Sequence, residues 1–203
     1  MLEKVNKLRG RPRVFNMDEA LDKALQVFWN RGYESASLAE LIDALGINKP
    51  SLYAAFGNKE ALFKKVLTKY ADDNVKFVRD AVKEPTAYKV AENFLVKAAE
   101  FLTDSKHPLG CMIVQGALSC GEGAQSVRDL LIHFRHSYEG LLTERFEKAK
   151  LDGDLPVNAM PKELAKYLAL LHQGMSVQAT GGATKQELIE ITRIALKAWP
   201  TSQ

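Results

Sequence analysis

The chain has 203 residues, 46% of them hydrophobic and 26% charged. That is the size of one domain, or of two small ones sharing a core, and the proportions exclude a wholly disordered chain. Cys111 and Cys120 are the only cysteines, too few for a disulfide scaffold.

The net charge of +3 is unevenly placed. Residues 1–13 hold Lys4, Lys7, Arg9, Arg11 and Arg13 against Glu3, a local +4 that leaves −1 for the other 190 residues. Such asymmetry points to a polyanionic partner, with a solvated tail as the plain alternative. No apolar run of signal-peptide type follows this basic arm. The longest charge-free stretch, Tyr167–Thr184, contains His172, Gln173, Ser176, Gln178, Thr180 and paired glycines. It therefore reads as a helix buried against protein and not as a membrane span. A cytoplasmic location is expected.

In chain order, the first feature is Arg9-Gly-Arg-Pro-Arg13. Gly10 removes bulk and Pro12 holds the backbone extended, so Arg11 can lie in a narrow A·T-rich minor groove with Arg9 and Arg13 along its walls. A helix then runs from Asp18 to Gly32 on the spacing of Leu21, Ala24, Leu25 and Phe28. Ser37-Leu-Ala-Glu40 is a capping box that opens a short helix on Leu38, Leu41, Ile42 and Leu45, closed by Gly46. Asn48 can cap the next helix, Lys49–Phe56, which carries Pro50 in its first turn.

Leu41, Ile42, Leu45, Ile47, Leu52 and Phe56 give these two short helices one apolar seam. Two such helices over a tight glycine turn form a helix-turn-helix. The outward face of the second is Lys49, Pro50, Ser51, Tyr53 and Ala54, which suits entry into a major groove. Lys49 and Ser51 lie at the leading end and can hydrogen-bond base edges. Tyr53 can offer its hydroxyl to a phosphate, or else packs as a surface aromatic. Ser37 and Lys59 sit at helix N-termini, where backbone N–H groups favour phosphate oxygens, although Ser37 can serve as a cap alone.

Asn58 caps a long helix toward Lys83, which Pro85 breaks. Further helices are expected at 87–103, 111–120, 124–151, 161–179 and 185–199, the last opened by a second capping box, Thr184-Lys-Gln-Glu187. No alternating strand and no Asn-Gly hairpin occurs. The expectation is an all-α protein of about nine helices.

The segments Gly10-Arg-Pro-Arg13, Ala20–Tyr33, Ser37–Leu41, Leu45-Gly-Ile-Asn-Lys-Pro-Ser-Leu-Tyr53 and Phe56-Gly-Asn-Lys-Glu-Ala-Leu-Phe63 together resemble the DNA-binding head of the tetracycline-repressor (TetR/AcrR) family. The resemblance covers about residues 10–65. It implies a basic arm (1–13), a three-helix DNA-binding head (14–58) and a helical ligand-binding and dimerisation core (59–203). It also implies a homodimer, a small-molecule inducer, and phosphate contacts from Tyr53 and Lys59. No cofactor and no metal are expected.

The family layout places the ligand cavity among the middle helices. Phe94, Phe101, Met112, Gln115, Phe134 and Tyr138 are the candidate lining, many of them serving as plain core. The last two helices are expected to meet a twin copy. Their stripes are Leu164, Leu168, Leu171 and Met175, and Leu188, Ile191, Ala195 and Ala198. Gly174, Ala179, Gly181 and Gly182 are expected to let the copies approach. The alternative is that one copy buries these stripes internally.

Cys111 stands apart as a candidate ligand or sensor residue. At a helix start its thiol meets the positive end of the dipole, which lowers its pKa and favours reaction with oxidants or electrophiles; the alternative is simple packing. Cys120, nine residues on, falls on the opposite helix face about 13 Å away. His133 and His136 make an i, i+3 pair with no carboxylate or cysteine at a matching spacing. No glycine-rich phosphate loop, nucleophile elbow, His-Glu-x-x-His motif or paired carboxylates support an enzyme. An architectural module acting through the arm alone is the remaining alternative. The reading that emerges is a ligand-responsive regulator of transcription, more in keeping with a repressor than an activator.

Overall fold

The computed structural model describes residues 16–74, 76–118 and 124–201. The basic arm, with Arg9, Arg11 and Arg13, lies outside the described residues, as does Cys120. Ten helical segments and no strand occur among the described residues. They are α1 (Met17–Ser35), α2 (Leu38–Leu45), α3 (Lys49–Phe56), α4 (Lys59–Asn74), α5 (Lys76–Ala81), α6 (Ala87–Leu102), α7 (Met112–Leu118), α8 (Gln125–Leu151), α9 (Pro161–Thr180) and α10 (Lys185–Lys197).

The helix ends follow from local chemistry. Asn16 caps α1 by accepting from the Asp18 and Glu19 N–H groups. Gly32, at φ 75° and ψ 171°, breaks the regular run of α1 before its last residues. The sequence places the helix end at this same glycine. Thr184 and Glu187 form the capping box of α10. The helix expected from Lys59 to Lys83 is described as α4 and α5 on either side of residue 75, which lies outside the described set.

Helices α1 to α4 form the N-terminal part. Ala24, Phe28, Leu41, Leu52, Phe56 and Phe63 are almost fully buried there. Phe28 meets Phe63 edge-on at 4.9 Å. The leucine and phenylalanine side chains among them contribute about 1.5–3 kcal/mol each on burial, which holds three short helices together.

The rest is a helical bundle in which α8 packs along α9, and α6 lies against α5, α9 and α10. Arg145 of α8 ties the turn after α5 by donating to the carbonyls of Val82, Glu84 and Pro85. Helix α1 also reaches this bundle. Trp29 stacks on His107 at 4.6 Å and meets Tyr70 edge-on at 4.9 Å.

Candidate nucleic-acid interface and core cavity

The helix-turn-helix is built from its caps inward. In α2 the Ser37 hydroxyl accepts the Glu40 N–H at 3.1 Å, while Glu40 accepts the Ser37 N–H at 2.9 Å. That backbone N–H, helped by the hydroxyl and by Arg31, holds the Glu40 carboxyl below its ordinary pKa. Gly46 ends α2 in the left-handed region at φ 67°, a conformation that admits glycine without strain. Asn48 then accepts the Ser51 N–H at 2.9 Å and opens α3, with Pro50 in its first turn.

Leu52 and Phe56 point inward from α3 and are buried. Lys49, Pro50, Ser51, Tyr53 and Ala54 are all exposed, and Tyr53 keeps 45% of its surface open. The structure therefore brings the candidate base-reading residues onto one accessible face. Ser37 is also exposed, at the start of α2. Asn58 accepts the Ala61 N–H at 2.8 Å and caps α4, which Lys59 begins.

Lys59 also has partners within the head. Its Nζ donates to the Glu34 carbonyl at 3.2 Å and lies 4.6 Å over the Tyr33 ring. Partial burial lowers its pKa, with Glu34 opposing. The residue clamps the chain after the α1 break onto α4. One of its three N–H groups is thereby committed.

The core holds an apolar cavity among α4–α9, lined in part by Tyr70, Phe94, Phe101, Cys111, Tyr138 and His172. Its volume is about 10 Å³, so the walls lie almost in contact.

Phe94, Phe101, Cys111 and Tyr138 line this cavity as expected. Met112 and Gln115 line instead a separate crevice between Trp29, Gly32, Tyr33 and Phe63. Phe134 is half-buried against the core and borders neither space. Tyr70, Phe77 and His172 are lining residues that sequence reading missed. For His172 a signal existed, since it is the one histidine within the charge-free run.

Cys111 corrects an expectation. It precedes α7 and is buried, and burial pushes its thiol above the ordinary range. The Tyr70 hydroxyl, 3.4 Å from Sγ, and the Val114 and Ile113 N–H groups pull the other way but are outweighed. Desolvation of a thiolate wins over the short helix start. The local network is tight: the Cys111 N–H donates to the Ser176 hydroxyl at 2.8 Å, and the Met112 N–H donates to the Tyr70 hydroxyl at 3.3 Å.

The partner face is a second correction. Leu168 and Met175 of α9 and Leu188 and Ala195 of α10 are buried in their own subunit, as is Ala179. The apolar side chains that α9 and α10 leave in the open are Leu170 at 61%, Val177, Ile191 and Ile194 at 66%. Gly174 and Gly181 lie exposed beside them. Of the stripe residues named from sequence, Ile191 and Ala198 are on this open side. Among the described residues, no helix is long and apolar enough to cross a membrane, and no group of three metal-ligating side chains gathers.

Residues 20–66 match the family model described as bacterial regulatory proteins, tetR family. Over 97% of this chain and 94% of the relative, the sequence is 33% identical to the HTH-type transcriptional repressor ComR of Escherichia coli K12. The repressor BdcR of the same organism is 29% identical over 98% of this chain and 96% of its own. A solved cysteine mutant of the TetR-family regulator CifR, in complex with 26-bp double-strand operator DNA, is 39% identical with a TM-score of 0.89. That match covers 94% of this chain and 100% of the other.

Proposed function

The chain belongs to the tetracycline-repressor (TetR) family of bacterial transcriptional regulators, and from that membership we propose a ligand-controlled repressor. It is a regulator and not an enzyme, acts in the cytoplasm, and works as a homodimer on a palindromic operator. Residues 14–58 form the DNA-binding head, residues 59–203 the ligand-binding and dimerisation core, and residues 1–13 the arm that reaches the minor groove. The observation that carries the reading is the outward face of α3, where Lys49, Pro50, Ser51 and Tyr53 stand clear of the core that Leu52 and Phe56 enter.

A recognition helix of eight residues reads few base pairs. Two heads spaced by about 34 Å, one helical turn of DNA, double the contacts and require a twofold-symmetric site. The open apolar side of α9 and α10 supplies the surface through which two copies pair. Lys49 and Ser51 approach base edges, Tyr53 and Ser37 contact phosphates, and Lys59 adds charge at the α4 N-terminus while anchoring the head.

The link between core and head runs through Tyr70. This side chain walls the cavity, and its ring meets Trp29 of α1 edge-on at 4.9 Å. An inducer must part walls that are nearly closed, so Tyr70 and α4 move, and α1 moves with them. The ligand shifts the equilibrium only because it binds the opened, DNA-incompetent state more tightly.

Selection of duplexes from a random pool by the purified protein tests this. A palindromic consensus is expected. Tyr53→Phe and Lys59→Ala then weaken binding at every site, Lys59→Ala also flattening the salt dependence, while Ser51→Ala changes base preference. Removal of residues 1–13 weakens binding but leaves it sequence-specific. Failure to enrich any duplex at low salt refutes the proposal.

A further inference from the structure

The core cavity contains one polar side chain that its surroundings do not explain. His172 is only 5% exposed, and among the described residues its Nδ1 is buried without a hydrogen-bond partner. The imidazole stands among the rings of Phe77, Phe94 and Tyr138, with centroids 6.1, 5.9 and 5.7 Å away. An unpaired buried nitrogen costs stability, and phenylalanine or leucine fills such a space without that cost. The other polar groups around the cavity are already engaged. The Tyr70 hydroxyl serves Cys111 and Met112, and the Tyr138 hydroxyl accepts from Gln173 Nε2 at 3.4 Å.

Among the described residues, the cavity lining contains no Asp, Glu, Lys or Arg. A charged ligand there loses its water and meets no counter-charge. Burial also holds His172 neutral, its pKa pushed down to about 4, so the imidazole supplies no charge of its own near neutral pH. Whichever tautomer is present, Nδ1 offers one hydrogen bond, as donor or as acceptor. The flat walls contributed by Phe77, Phe94 and Tyr138 favour a ring.

We infer that the inducer is a compact, uncharged, largely apolar ring compound bearing one hydroxyl or carbonyl group, and that His172 Nδ1 is the atom that recognises that group. This rests on the core cavity being the inducer site, and it names the chemical class that the site takes. A ligand hydroxyl or carbonyl gives Nδ1 the partner that no described residue supplies.

Four single-ring probes separate the possibilities: benzyl alcohol, toluene, benzoate and benzylammonium, titrated calorimetrically into the full chain without DNA. Benzyl alcohol is expected to bind about tenfold or more tightly than the other three, because a site built around one hydrogen bond rejects analogues that lack it. His172→Phe keeps the ring and removes the nitrogen. It is expected to bind toluene and benzyl alcohol within about threefold of each other. Histidine-selective nitrogen NMR of the unaltered protein gives a reading that needs no variant: the His172 Nδ1 resonance moves on saturation with benzyl alcohol and stays in place with toluene. Equal or tighter binding of either charged probe overturns the inference. So does a His172→Phe protein that keeps the preference for the alcohol, or millimolar saturation by none of the four. Operator affinity is measured separately. Selective binding that leaves it unchanged upholds the recognition by His172 and refutes the inducer mechanism.

Discussion

His172 also makes a quantitative prediction about stability against pH. In the unfolded chain its imidazole titrates near the ordinary 6.5, whereas burial lowers the folded value to about 4. Its folded pKa is depressed, so its contribution to stability is fully present above pH 6.5. It is lost as the pH falls toward 4, because the unfolded state takes up a proton that the folded state refuses. Between pH 7.5 and 5.0 the two values give a loss of about 2 kcal/mol, from a slope approaching about 1.4 kcal/mol per pH unit. For a chain of this size about 2–4 °C of melting temperature accompanies each kcal/mol, so the shift is about 4–8 °C. The assay is a set of thermal or urea melts across that range for the wild type and His172→Phe. Other titrating groups are common to both proteins and cancel in the difference. The variant is expected to lose this part of the acid sensitivity, and to be at least as stable as the wild type at pH 7.5. Parallel pH curves for the two proteins refute the reasoning, as does direct titration of His172 near 6.5 in the folded state.

Tyr70→Phe removes the hydroxyl that accepts the Met112 N–H at 3.3 Å and donates to Cys111 Sγ at 3.4 Å. With both groups buried, a loss of about 1–2 kcal/mol is expected by chemical denaturation, while ligand-free operator affinity is retained because the ring against Trp29 is kept. Cys111, with its thiol buried and its pKa raised, is expected to react with iodoacetamide at pH 7 only slowly until the protein unfolds, the native rate still climbing with pH above 9. Rapid labelling at neutral pH contradicts that environment and restores the sensor reading. On the open face, Leu170→Glu together with Ile194→Glu is expected to convert the dimer to a folded monomer in light scattering with helix content unchanged. Leu168→Ala, inside the core, is instead expected to cost about 2–5 kcal/mol of stability. A double variant that stays dimeric refutes the assigned face.

What was legible in the sequence follows a physical rule. Backbone punctuation is local, so the capping residues Ser37, Asn48, Asn58 and Thr184 and the turns at Gly32 and Gly46 could be placed from neighbours a few residues away, and the helix ends agree to within a few residues. The reading face of α3 was legible for the same reason, since its inward positions Leu52 and Phe56 alternate with exposed ones over two turns. Properties set by distant parts of the chain were not. The thiol of Cys111 depends on Tyr70, 41 residues earlier, and its N–H on Ser176, 65 residues later. No local pattern at a helix start foretells that enclosure.

Helix α9 shows the limit most clearly, because it is apolar on two sides. Periodicity identifies the stripe of Leu164, Leu168, Leu171 and Met175 but carries no sign for which stripe faces inward. That stripe turns out to lie against α6 and α8, and the second one, through Leu170, Gly174 and Val177, is left in the open. A helix buried on one side by its own subunit and on the other by a twin has the charge-free composition that first set Tyr167–Thr184 apart. The same double demand explains His172. In a helix with apolar residues on both faces, a lone imidazole directed inward is retained against the packing preference of its surroundings, and ligand recognition in the cavity supplies the reason.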